Sequence, residues 1–166
     1  MPAMIATQHI ELPPMPTIGL PESQYARMVH KADKAGNVHL HEALKVAQYV
    51  SLALDPKLRW PKKLHFFEHA LHRHCNPPAL PSEPVWLFYQ SLISLVRDHA
   101  GQEALRLASL EDDVYAKRLK MGCTRERIEE DAEKFFDELL GHRDRCPDLF
   151  HEDDWHALHV FRDQWI

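Results

Sequence analysis

Wound as a helix, the segment at about 85–99 is apolar on nearly every side. Val85, Trp86, Leu87, Phe88, Tyr89, Leu92, Ile93, Leu95 and Val96 leave almost no polar face. Such a helix belongs inside a bundle, because water would otherwise meet apolar surface in every direction. The rest of the chain must then supply single apolar stripes that face it, and it does. Leu40, Leu44 and Ala47 line a helix at about 39–54, and Leu64, Phe67 and Leu71 one at about 61–75. Ile128, Ala132, Phe135, Phe136, Leu139 and Leu140 form the cleanest stripe of all, and Trp155, Leu158, Phe161 and Trp165 mark a helix at about 151–165. Apolar residues recur at helical spacing throughout, and strand-like alternation is absent.

Proline and glycine punctuate these helices. Pro21 suits the start of a first helix at about 22–32, and Asp33 to Asn37 reads as the turn after it. Asp55-Pro56 stops the second helix, and residues 76–84 form a proline-stiffened loop. Gly101 reads as a break before a helix over Gln102–Met121. Gly122 ends that helix, Thr124 caps the next, and Gly141 and Pro147 close it. The expected fold is all-α: a compact bundle of about six or seven helices around a central buried helix near 85–99. Residues 1–20, with Pro2, Pro13, Pro14 and Pro16, form an extended or disordered N-terminal arm, of which residues 1–18 should add little to folding. Residues 21–166 form a single helical domain.

No apolar run approaches the roughly 18 residues that span a bilayer, and Met1 to Ile10 lacks the pattern of a secretory signal. Cys75, Cys123 and Cys146 are odd in number and widely spaced, which favours a reducing, cytoplasmic setting. The net charge of −5 is unevenly placed. Residues 1–100 carry ten Lys/Arg against eight Asp/Glu, and residues 101–166 carry ten against seventeen. An acidic chain is a poor start for nonspecific nucleic-acid binding.

The run from Leu64 to Cys75 holds four of the thirteen histidines. His65, His69 and His72 share one stripe with Glu68 at its edge, roughly opposite Leu64, Phe67 and Leu71. Histidines four residues apart stack one turn apart and can chelate a metal. In the last helix Glu152, His156, His159 and Asp163 share a face. Were the two helices neighbours, the stripes could hold zinc or iron through His65, Glu68, His69, His72, Glu152, His156 and His159. Both stripes lie opposite the apolar faces, however, and the Glu-x-x-His pairs of di-iron bundles are missing. No metal site and no cofactor is therefore assigned, and the alternative reading is a pH-responsive or plain solvated face.

Other chemistry finds little support. Asp33 to Leu40 begins like a calcium loop, but Ala35, Val38 and Leu44 stand where that loop needs an oxygen ligand, a glycine and a second oxygen ligand. A helix-turn-helix at 115–128 would present Glu126, Glu129, Glu130, Asp131 and Glu133 to phosphate. There is no phosphate loop and no nucleophile elbow. Cys75 beside His72 and His74 can be read as an activated thiol, but a cysteine at a helix end is more often inert.

What remains is a basic, aromatic and histidine-rich segment in an otherwise acidic chain. The candidate partner-binding residues are Arg59, Trp60, Lys62, Lys63, His65, Phe66, His69, His72 and Arg73. Trp and Arg among them are types enriched at interface hot spots. The expected function is that of a small non-enzymatic regulator, protector or adaptor that binds another protein with an acidic surface, with no nucleic acid and no membrane involved. The alternative is a metal-dependent enzyme or metal-binding protein using the histidine stripes.

The middle of the chain resembles the CowN family, small helical proteins that sustain nitrogen fixation under carbon monoxide. The matching pieces are Asp33…Gly36-Asn37, Phe66-Phe67-Glu68, Leu87-Phe88, Ile93…Arg97-Asp98 and Ala104-Leu105-x-Leu107, in the family's order over about residues 33–112. The resemblance implies a non-enzymatic protein that docks on a large metalloenzyme.

Overall fold

The apolar segment near 85–99 lies at the centre of the molecule, but it belongs to a much longer helix. The computed structural model describes residues 11–166, so Pro2 and the first half of the expected arm lie outside the described residues. Six helices follow in order: α1 (Glu22–Lys34), α2 (Val38–Ala53), α3 (Trp60–His74), α4 (Glu83–Lys120), α5 (Arg125–Arg145) and α6 (Glu152–Trp165). Among the described residues there is no strand.

α4 packs against α2, α3, α5 and α6, while α1 lies on α2 alone among the helices. Val85, Tyr89, Leu92, Val96, Ala100 and Ala104 run down its buried side. The all-round apolar reading is too wide at the start of the helix. Trp86 is 47% exposed and Leu87 57%, and Ile93 is only half-buried.

Two glycines read as breaks are helical. Gly141 lies inside α5, and Gly101 lies inside α4. A Cβ on Gly101 would sit 2.0 Å from Asp154 Oδ2 and 3.1 Å from Asp154 Cβ. The missing side chain therefore lets α6 approach α4, and packing outweighs the weak helix propensity of glycine. The segments expected at 85–99 and 102–121 become one 38-residue helix, which gives six helices among the described residues.

The turns that position the candidate site follow local rules. Gly36 takes φ +67°, and the Asn37 side chain accepts a hydrogen bond from Leu40 N at 3.2 Å, capping α2. Asp33 to Asn37 is thus an interhelical turn. Before α1, the second half of the arm lies on the bundle. Leu12 and Ile18 pack against the core, Tyr25 Oη donates to the Thr17 carbonyl, and Gly19 N donates to Ser51 Oγ at 2.9 Å. An arm that adds nothing to folding does not match this packing.

Candidate functional site

α3 is covered by α2, α4 and α5. Three neighbours bury a face wider than the stripe of Leu64, Phe67 and Leu71, so Lys63 and Glu68 are buried too. Lys63 was expected on the partner surface. Instead its Nζ lies 3.2 Å from Glu103 Oε1 and donates to the carbonyls of Ala53 at 3.1 Å and Asp55 at 2.7 Å. Glu103 also accepts two hydrogen bonds from Arg106, at 2.5 and 3.1 Å. Burial pushes the Glu103 carboxyl up, but Arg106 and Lys63 outweigh it and hold it below the usual carboxylate range. Glu68 was expected at the edge of a metal stripe. It pairs instead with the buried His142 and, at 3.2 Å, with Arg145 of α5.

With Glu68 turned inward, the outer ridge of α3 carries no carboxylate. Lys62, His65, His72 and Arg73 are exposed along it, with Arg59 exposed just before the helix. Among the described residues, no carboxylate pairs with Arg59, Lys62 or Arg73, whereas the inward charges Lys63 and Glu68 both have partners. His69 is half-buried, with its ring 5.0 Å from Tyr49 and 5.6 Å from His65. Partial burial, then the neighbouring charges of His65 and Arg73, push its imidazole pKa down.

The two aromatic candidates are engaged within the chain. Phe66 is half-buried and stacks on Tyr49 at 6.0 Å, and Trp60 lies 5.1 Å from Phe135. Trp60 and Phe135 also line an open groove of about 680 Å³ with the carboxylates of Glu111, Asp131, Asp137 and Glu138. The basic start of α3 thus borders an acidic groove of its own chain, which partly realises the charge asymmetry of the two halves.

The second histidine stripe does not join the first. α6 packs against α4 and α5 and does not touch α3, so the two stripes are not brought together. Glu152 and His156 are exposed, with Glu152 bound to Arg143 at 2.8 Å, and His159 packs its ring 4.9 Å from Trp155. Cys75 is not activated. Burial, then Glu42 and Cys146, push its thiol up to about 12.

A different histidine cluster forms where the start of α2 meets the end of α3, beside the turn from α1. His41, Glu42 and His74 place one ligand atom each within 4.8 Å of one another, all half-buried. His74 Nδ1 lies 2.6 Å from Glu42 Oε2, His41 Nε2 lies 3.8 Å from Glu42 Oε1, and His41 Nδ1 lies 2.5 Å from Asp33 Oδ1. The His74 ring stacks on Tyr49 at 5.5 Å. These three side chains can hold a metal ion. His74 belongs to the histidine run but falls off its stripe. His41 and Glu42 are distant from it in sequence, and only the α2–α3 packing brings them together. Adjacent His41-Glu42 just after a capped turn is the one local signal of the site.

No family model, curated protein or solved structure matches the chain.

Proposed function

We infer that this is a non-enzymatic helical protein whose α3 ridge docks on an acidic surface of another protein. The single observation that carries this reading is the uncompensated ridge of Arg59, Lys62, His65, His72 and Arg73, from which the helix's one carboxylate is turned away. A surface of one charge sign speeds and orients encounters with a surface of the opposite sign. Its position on a helix backed by three others makes it a rigid platform, and rigid surfaces lose little entropy on binding. Trp60 and Phe66 support the ridge from beneath rather than serving as free anchors. Docking on a large metalloenzyme, which the CowN resemblance implies, is one form of this reading. No helix among the described residues is long and apolar enough to cross a membrane.

The test is affinity capture from the native host with the wild type and with the variant Arg59→Glu/Lys62→Glu/Arg73→Glu. The reading predicts a partner retained by the wild type at low salt and lost with the variant. A partner retained equally by both would place the interface elsewhere.

A further inference from the structure

We propose that His41, Glu42 and His74 bind a divalent first-row transition ion, with zinc as the representative, and that the ion joins the ends of α2 and α3. The site is independent of the docking ridge and uses none of its residues.

The donor set suits the ion. Two imidazole nitrogens and one carboxylate are borderline ligands that favour zinc and its neighbours over magnesium or calcium, which take oxygen donors. The spacing suits it too. A tetrahedral ion with ligand bonds of about 2.0–2.2 Å holds its ligand atoms about 3.3–3.5 Å apart. One ligand atom from each of the three residues lies within 4.8 Å of the other two. His74 Nδ1 is 2.6 Å from Glu42 Oε2 and His41 Nε2 is 3.8 Å from Glu42 Oε1, so the two rings face different oxygens of one carboxylate and the side chains must adjust on binding.

The surroundings already orient the ligands. The carboxylate of Asp33 lies 2.5 Å from His41 Nδ1 without hydrogen-bond geometry, so it sets a negative charge beside that ring. His41 Nε2 is the nitrogen that faces Glu42. Tyr49 stacks on the His74 ring and limits its rotation. Three protein ligands leave a fourth position for water or an exogenous donor.

The experiment is equilibrium dialysis of full-length protein, purified without a histidine tag, against Zn²⁺ buffered by a competing chelator. The visible spectrum of the Co²⁺-substituted protein reports the geometry. The wild type should hold one zinc per chain. Glu42→Gln and His74→Gln should each weaken binding about tenfold or more, and His65→Gln/His69→Gln/His72→Gln should leave it unchanged. Glu42→Gln keeps the size of the side chain and can still accept a hydrogen bond from His74. Its loss of zinc with unchanged circular dichroism would therefore report lost ligation, even if His74→Gln fails to fold. Zinc should also raise the Tm of the wild type but not of Glu42→Gln, since the ion binds only the folded arrangement. The proposal is overturned if the wild type retains no zinc, if Glu42→Gln retains it equally, or if only the His65/His69/His72 variant loses it.

Discussion

Lys63 Nζ and Glu103 Oε1 lie 3.2 Å apart with their side chains 3% and 9% exposed, so α3 and α4 are joined by an ion pair inside the bundle. A buried pair is not a large net gain over apolar packing, but removing one partner leaves the other desolvated and unpaired. Lys63 also satisfies two backbone carbonyls at the end of α2 and the loop after it.

Lys63→Ala is expected to cost about 1–3 kcal/mol, read by urea denaturation, because Glu103 keeps Arg106 while the carbonyls of Ala53 and Asp55 lose their donor. Lys62→Ala, one residue away on the exposed ridge, should change stability by less than about 0.5 kcal/mol. Equal effects of the two would show the register of α3 to be wrong.

Glu103 also sets a pH dependence. Its carboxyl is held below the usual range by Arg106 and Lys63 against the opposing effect of burial. A depressed folded-state pKa means that the unfolded chain binds the proton more readily. The stabilisation is present above the ordinary glutamate pKa of about 4.3 and is lost as pH falls through the folded value. Glu103→Gln should lower stability at neutral pH and flatten the decline as pH falls below about 4.3. An unchanged acid limb would mean the pair carries no such linkage.

Gly101→Ala tests the α4–α6 contact. Alanine gains about 1 kcal/mol in helix propensity, but its Cβ would fall 2.0 Å from Asp154 Oδ2. The contact with Asp154 Cβ at 3.1 Å cannot be relieved by rotating that side chain alone. A net loss of about 1 kcal/mol is expected, since overpacking typically costs about 1–3 kcal/mol. Adding Asp154→Gly should recover most of it. A stabilised single variant would show that α6 yields freely.

Deleting residues 1–20 should lower the Tm measurably, because the deletion removes Leu12 and Ile18 from the core and the contacts of Thr17 and Gly19 with Tyr25 and Ser51. Thermal denaturation followed by circular dichroism checks this. An unchanged Tm would restore the expectation that the arm is dispensable.

The helical fold was legible because each stripe repeats many times, and α2, α3 and α6 fall where the Leu40–Leu44–Ala47, Leu64–Phe67–Leu71 and Trp155–Trp165 stripes place them. Gly101 was misread because its role is set by a residue 53 positions away that no local rule can see. Lys63 and Glu68 were misplaced for a related reason. How wide a helix face is buried depends on how many neighbours cover it, and a third neighbour took both charges inside with partners from α4 and α5. The ridge of Arg59, Lys62, His65, His72 and Arg73 could be read directly, since exposed charge needs no partner to define it. The cluster of His41, Glu42 and His74 spans 33 positions and exists only once α2 and α3 are packed.

The measurement closest to the central claim is the Kd of the captured partner for the purified protein as a function of salt, by titration calorimetry. Wild type should bind more weakly as salt rises, because exposed charges are screened over about 8–10 Å at physiological ionic strength. Arg59→Glu/Lys62→Glu/Arg73→Glu should abolish binding while keeping the Tm of the wild type. Salt-independent binding, or a charge-reversed variant that binds as tightly as the wild type, would contradict the assignment of the α3 ridge as the docking surface.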